Sequence, residues 1–388
     1  MTRTPLGLLL AVTLASTLAA TLASNGARAA DPVRIGVDTP LSGTYADRGH
    51  SVQYGVELAI ARINQSGGVL GRPVEAFYAD NAGDEAKGVA GARRLVEQEH
   101  VSAVIGALVT AVTHAVMPVM QSMQVPLVVE VSAGQDFVDA SGVGGNAWVF
   151  KTIPSDKDIA EDLVAWLKQQ GVKSVATVTD DAPFNAVNGG SFARAAAAGG
   201  LNIALAETVP KGADLAAVVA RVRAAGPDSV VLNLGASTAP FFKAYEQAGG
   251  GMAVSGRIDL AAAIGAVSPA FTAAGGLGKV TGITVFSPAI AGPGIQGFVA
   301  AYRAKYGLMP TQRSFFAYEA ANLVVAAIAQ AGSDKPADVQ RALKASTMVS
   351  LLGGTYAMDD HNHPHMPMQM LGVRDGRVAV IDKAKPVL

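Results

Sequence analysis

Short β-branched runs alternate with amphipathic helical stretches, and the alternation starts twice along one chain. That order limits the fold more than any other feature. Residues 33–37 form an apolar run that ends in a glycine- and proline-containing loop, 38–49. Residues 52–64 then place Val52, Val56, Ala59, Ile60 and Ile63 on one helical face, and Gly67-Gly68 stops the helix. Strand-like runs at 74–78, 101–105 and 125–131 are separated by helical stretches at 86–100 and 110–123, where Pro118 predicts a kink or break. The pattern restarts with helices at 159–170, 185–198, 215–225 and 240–248 between strands at 174–179, 203–209 and 229–234. Strands separated by helices of this length predict right-handed crossovers and parallel sheets. A strand at 280–286, helices at 296–306, 314–331 and 337–345, and two strands, 369–374 and 377–381, joined by Asp375-Gly376 complete the chain. That dipeptide between alternating residues is a hairpin signal. The fold class expected is α/β, with two doubly wound parallel-sheet units.

The N-terminus reads as an export signal. Arg3 precedes an apolar run, 6–22, and Ala27-Arg28-Ala29 offers small residues at a cleavage site. Cleavage after Ala29 is expected, with a periplasmic product. Roughly 360 residues would remain, too many for one ordinary core and enough for two domains. No later stretch reads as a membrane span. The absence of cysteine excludes disulfides and a lipid-modified thiol, so the expected protein is soluble and not lipid-anchored. A net charge of -1 gives no basic surface for nucleic acid.

Ile35-Gly-Val-Asp-Thr-Pro-Leu-Ser42-Gly43, followed by Gly49 and the run from Gly55 to Asn64 with Gly67-Gly68, resembles the opening of the leucine/isoleucine/valine-binding proteins of bacterial ABC transporters. So do Asp80-Asn81, Val104-Ile-Gly106, the run from Val125 to Ala133, and Asp359-Asp-His361 before Pro367-Met368. The resemblance implies a type I periplasmic binding protein: two lobes joined by three hinge crossovers, with ligand clamped between them. It divides the chain into a signal (1–29), one lobe (30–150 plus 288–353) and a second (151–287 plus 354–388). It implies an ABC permease as partner, a monomer, no cofactor and no enzymatic activity.

The site expected from the resemblance lies at the carboxyl ends of the strands, where open parallel sheets bind ligands. The loop holding Leu108 and Val109 leads into a helix at Thr110, so its N–H groups and the Thr110 hydroxyl face a ligand carboxylate. The bland alternative makes Thr110 a simple N-cap. Ser132 and Ala133 match the family's second ligand contact. Phe184 falls where the family has a covering aromatic residue, unless it is core. The small residues around Ala236 leave volume for a bulky ligand. Asp259, or Ile258 one place earlier, falls near the family's ammonium-pairing acid, whereas Arg48 and Arg257 lie at the mouth. The leading expectation is capture of an amino acid, branched-chain or bulkier and hydrophobic; if Asp259 points in, a zwitterion larger than valine is favoured. If Arg48 points in, an aromatic or other carboxylic acid is. A sensor domain of the same fold is a further alternative.

Other motifs are weak. Gly292-Pro-Gly294-Ile-Gln-Gly297 matches a dinucleotide fingerprint, but Pro293 disturbs it and no acidic residue follows at the spacing a ribose needs. Gly235-Ala-Ser237-Thr-Ala239 lacks the closing glycine of a nucleophile elbow. His361, His363 and His365 alternate as metal ligands do, but Pro364 and Pro367 suggest a turn, and no metal is expected.

Overall fold

The computed structural model describes residues 31–384, so the expected signal segment lies outside them. In chain order the first unit runs β1 (Val33–Thr39), α1 (Ala46–Gln65), β2 (Val74–Asp80), α2 (Glu85–Glu97), β3 (Val104–Gly106), α3 (Thr110–Met123), β4 (Leu127–Val129), α4 (Gln135–Ala140) and β5 (Val149–Lys151). Its five strands are parallel in the order β2-β1-β3-β4-β5. Strand alternation explains the layers. Val33, Ile35 and Val37 face the core that holds α1 residues Val52, Val56 and Ala59. Val104, Leu127 and Val129 face the α2 and α3 residues Leu95, Val112 and Val116. Pro118 lies inside an unbroken α3. It is exposed, as is His114, whose carbonyl loses its partner to the ring. Water can reach that carbonyl, and buried Val112, Val116 and Met120 hold the helix in place.

The second unit runs α5 (Asp156–Gln169), β6 (Ser174–Asp180), α6 (Pro183–Gly199), β7 (Asn202–Val209), α7 (Leu215–Ala225), β8 (Ser229–Asn233), α8 (Thr238–Gln247), β9 (Val254–Gly256), α9 (Leu260–Ala266) and α10 (Pro269–Ala273). Its parallel order, β7-β6-β8-β9, repeats the winding of the first sheet. β10 (Thr281–Thr284) follows. Then come α11 (Pro293–Tyr306), α12 (Gln312–Ala331), α13 (Pro336–Lys344), a β11–β12 pair (Thr347–Val349 and Thr355–Ala357), β13 (Met368–Arg374) and β14 (Arg377–Ala384). β10, β13 and β14 form an antiparallel sheet, with the expected hairpin at Asp375-Gly376.

The late helices return to the first unit. α12 packs along α1 so closely that a Cβ on Gly55 would lie 2.2 Å from the Ser314 carbonyl oxygen. Thr311 caps α12 by accepting from the Ser314 N–H, which sets its start. Among the described residues α12 is long and apolar enough to cross a membrane, contrary to the sequence reading, but most of it is buried in the core. The G-x-G-x-x-G run begins α11 with Pro293 in its first turn, and Gly294 packs on Leu351. It follows no strand of the parallel sheets.

Candidate ligand cleft between two switch points

Both parallel sheets reverse direction at their second strand. In the first the reversal lies between β1 and β3, in the second between β6 and β8. At such a point neighbouring loops leave in opposite directions and open a crevice beyond the strand ends. The residues singled out by sequence fall on those exits: Arg48 after β1, Leu108 to Thr110 after β3, and Ser132 and Ala133 after β4. Phe184 follows β6, Ala236 follows β8, and Asp259 follows β9.

The β3 exit is shaped for close backbone approach. Gly106 has φ +156, and a Cβ there would lie 2.4 Å from the Asp38 carbonyl oxygen. Leu108, buried, takes φ 65. Val109, not Thr110, is the N-cap of α3, and no side chain caps it. Thr110 is therefore the first helical residue and is exposed, so the capping alternative does not hold. The first N–H groups of a helix have no carbonyl to bind, and the dipole leaves them partly positive. The Ser132 hydroxyl lies behind this loop, 3.0 Å from Thr113 Oγ1, and donates to the Leu108 carbonyl at 3.2 Å. Ser132 thus braces the loop. Ala133 is buried, and its carbonyl accepts from the Asp156 N–H at 2.8 Å, joining the first unit to the start of α5.

On the opposite side Phe184 is 48% exposed, too open for core, with the Arg257 guanidinium 5.1 Å from its ring centre. Arg257 is paired with Asp156 at 2.5 Å and Asn188 at 2.7 Å, so its charge is matched within the protein. Ala236 is exposed in the loop after β8. Asp259 caps α9, its Oδ1 accepting from the N–H groups of Ala261 and Ala262 at 3.0 Å each. Arg48 is exposed and sits over the Tyr45 ring at 5.5 Å.

Beneath the strand ends lies a group of buried charges that sequence reasoning missed. Burial pushes the Asp38 carboxyl up to about 7, against a hydrogen bond from Asn81. Burial likewise raises Glu130 to about 8, and neither carboxyl oxygen has a partner. Burial lowers Lys151 to about 8, against the nearby carboxylates, and its Nζ donates to the Ser132 carbonyl at 2.5 Å. Arg313 was also missed. It is half-buried at the start of α12, and burial and then the Arg48 charge lower its pKa. No local sequence signal marks these residues, because desolvation comes from packing of distant segments.

The histidine segment is a turn. His361 Nδ1 approaches the Ser141 carbonyl at 3.2 Å, and His363 Nε2 lies 3.1 Å from the Ile153 carbonyl oxygen. His365 lies between Asp158 and Asp359, which lift its pKa to about 9. Asp158, His363 and His365 come within 4.8 Å, while His361 turns away to Ser141. The segment fastens the crossover near residue 362 to the one near 151: Lys151 N–H donates to the Asn362 carbonyl at 3.0 Å, and Asn362 Nδ2 donates to the Val149 carbonyl at 3.0 Å.

Residues 32–377 match the family model described as periplasmic binding protein. The Leu/Ile/Val-binding protein homolog 3 of Brucella melitensis biotype 1 is 31% identical over 200 residues, 51% of this chain, so the match spans about half (53%) of that relative's length. Homolog 7 of Brucella suis biovar 1 is 26% identical across 92% of this chain and 93% of its own. Among solved structures, a putative branched-chain amino acid ABC transporter protein from Rhodospirillum rubrum superposes with a TM-score of 0.76 at 26% identity, covering 90% of this chain and all (100%) of its own. A substrate-binding protein from Streptococcus pneumoniae in complex with isoleucine gives 0.74 at 20%, covering 90% and 99%. A solute-binding protein from Rhodopseudomonas palustris in complex with 3,4-dihydroxybenzoic acid gives 0.76 at 22%, covering 92% and 98%. The chain belongs to the periplasmic binding protein family and has the type I fold of its solved relatives.

Proposed function

We propose that this protein is the extracytoplasmic capture component of an ABC importer, exported by its N-terminal segment and working as a periplasmic monomer that delivers a small carboxylate to a membrane permease. The reading divides the chain into lobes at residues 30–150 plus 288–353 and 151–287 plus 354–388. The observation that carries it is the chain of contacts joining the exits of the two sheets, from Ala133 through Asp156 and Arg257 to Phe184, together with the helix start at Thr110, whose first N–H groups have no helical partner. A carboxylate is anchored there, with Leu108, Val109, Ser132 and Ala133 shaping the anchor. Closure brings Phe184, Ala236 and Asp259 over the ligand, while Arg48 stands at the mouth. Ligand stabilises the closed state because only that state makes both sets of contacts.

The geometry favours a carboxylic acid over an amino acid. Asp259, the residue that would receive an ammonium group, has Oδ1 engaged in capping α9. Arg48 and Arg313 form no ion pair among the described residues. The amino-acid reading keeps one support, since Asp259 Oδ2 makes no hydrogen bond among the described residues. A thermal-shift screen over amino acids, aromatic acids and dicarboxylates tests the function. A shift with at least one carboxylate is expected, and no shift with any would contradict it. Calorimetry then separates the two ligand classes: heat from 4-hydroxybenzoate and none from leucine or phenylalanine supports the acid, and the reverse supports the amino acid.

A further inference from the structure

The turn between Met358 and Pro364, which pair across it, rearranges the histidines that alternate in the sequence. His361 leaves the row, its Nδ1 meeting the Ser141 carbonyl at 3.2 Å. Asp158, from the first turn of α5, takes its place, and one ligand atom each of Asp158, His363 and His365 comes within 4.8 Å of the others. Asp359 orients both histidines. Its Oδ1 accepts from the His363 N–H at 3.0 Å, and its Oδ2 lies 3.1 Å from His365 Nε2. Asp158 is held as firmly: its Oδ2 accepts from the Ser155 N–H at 2.9 Å and from Ser155 Oγ at 2.8 Å, in the capping box that starts α5. A carboxylate that fixes a histidine ring from its far side is the usual support of a metal ligand.

The polar atoms of this cluster do not satisfy one another. With His365 Nε2 donating to Asp359, its Nδ1 and Asp158 Oδ1, 3.5 Å apart, are both acceptors unless a proton or a metal ion lies between them. The His363 ring is buried, and its Nδ1 has no hydrogen-bond partner. Its Nε2 faces the Ile153 carbonyl at 3.1 Å and Asp158 Oδ2 at 3.6 Å. Coordination through Nε2 exchanges the Ile153 contact for the ion and leaves the ring proton on Nδ1. Two ligands of a tetrahedral Zn²⁺, each about 2.0–2.1 Å from the ion, lie roughly 3.3 Å apart. The two histidine–aspartate spacings are close to that edge. Two imidazole nitrogens with one carboxylate oxygen suit Zn²⁺ ahead of Mg²⁺ or Ca²⁺, which take oxygen ligands. His365 is half-exposed, which gives an ion a way in, and three protein ligands leave the fourth position to water.

We propose that Asp158, His363 and His365 form a binding site for one divalent transition cation of the zinc class, which staples the start of α5 to the crossover leading into β13. The untagged full chain, dialysed against a chelator, is titrated with Zn²⁺ by calorimetry and with Co²⁺ by visible absorption. One Zn²⁺ per chain is expected, with a Kd of about 10 μM or tighter, together with a higher melting temperature and the absorption bands of tetrahedral Co²⁺. Mg²⁺ at the same concentration should produce none of these. His365→Gln should weaken Zn²⁺ binding at least about tenfold and remove the Co²⁺ bands. His363→Gln should do the same; should that buried position not tolerate the change, the half-exposed His365 carries the test alone. His361→Gln, outside the cluster, should stay within about threefold of the parent. Zn²⁺ binding weaker than about 10 μM would overturn the proposal, with a proton alone filling the gap between His365 and Asp158. Binding that survives His365→Gln, or that His361→Gln weakens equally, would overturn the ligand assignment.

Discussion

Glu130 shows how one buried side chain sets a pH dependence. Its carboxyl is fully buried with both oxygens unpartnered, so burial holds the proton on up to about pH 8, against an ordinary value of 4.5. Across that window the unfolded chain has lost the proton and the folded chain has not. Unfolding therefore releases a proton, and stability falls as pH rises from 4.5 to 8. Asp38 has the same sign between 3.8 and about 7. Lys151 has the opposite effect: folded protein loses its proton near 8 and the unfolded chain near 10.5, so stability rises with pH between those values. Glu130→Gln keeps the shape and removes the titration. The variant should match the parent near pH 4.5 and exceed it at pH 8 by about 1 kcal/mol or more, seen as a melting temperature roughly 2 °C or more higher. Equal pH profiles for the two chains would contradict the account. Residues of this kind are illegible in sequence. Thr110 and Phe184 are legible because each sits just past a strand, a place that topology marks. Glu130, Lys151 and Arg313 differ from solvated charges only in what distant segments lay over them.

At the scale of elements, the contact between α1 and α12 joins the two ends of the chain. Helices approach this closely only where a side chain is missing, and Gly55 supplies the gap beside the Ser314 carbonyl. Gly55→Ala should cost about 1–3 kcal/mol in urea unfolding, since the obstacle is backbone and cannot swing aside. Gly297→Ala, at an exposed position of α11 with nothing within 4 Å of the added carbon, should instead gain up to about 1 kcal/mol. Equal effects at the two sites would contradict the packing described. Long periodic elements such as α1, α5 and β6 are readable from sequence because many residues repeat one pattern. β9, α4, α9 and α10 escaped notice, being three to seven residues long with too few turns to show a period. The regular β3 strand begins at Val104 rather than 101: the chain bends at Ser102, although the Ser102 N–H already donates to the Arg34 carbonyl at 2.8 Å and the Ala103 carbonyl accepts from the Gly36 N–H at 2.9 Å. Apolar character reports burial and does not fix where a regular strand starts.

For the whole molecule, the two wound sheets act as one device only if ligand held by the first is covered by the second. In the proposed mechanism the hydrogen bonds at Lys151, Asn362 and His363 form the seam about which the sheets would swing. Capture then depends on the anchor at the start of α3. Thr110→Pro tests the anchor without breaking the helix. Proline is tolerated at a first helical position, and Val109 already has the extended backbone, φ -83 and ψ 127, that a following proline requires. The substitution deletes one N–H donor; Thr110→Ala, which deletes only the hydroxyl, is the control. A charge-assisted hydrogen bond contributes about 1.5–3 kcal/mol, equal to at least about tenfold in affinity. The deciding measurement is the calorimetric affinity of Thr110→Pro for the tightest carboxylate found in the screen, beside that of Thr110→Ala. The account predicts a loss of at least about tenfold for the proline chain beyond that of the alanine chain, with an unchanged melting temperature. Equal affinity in the two variants and the parent would contradict it.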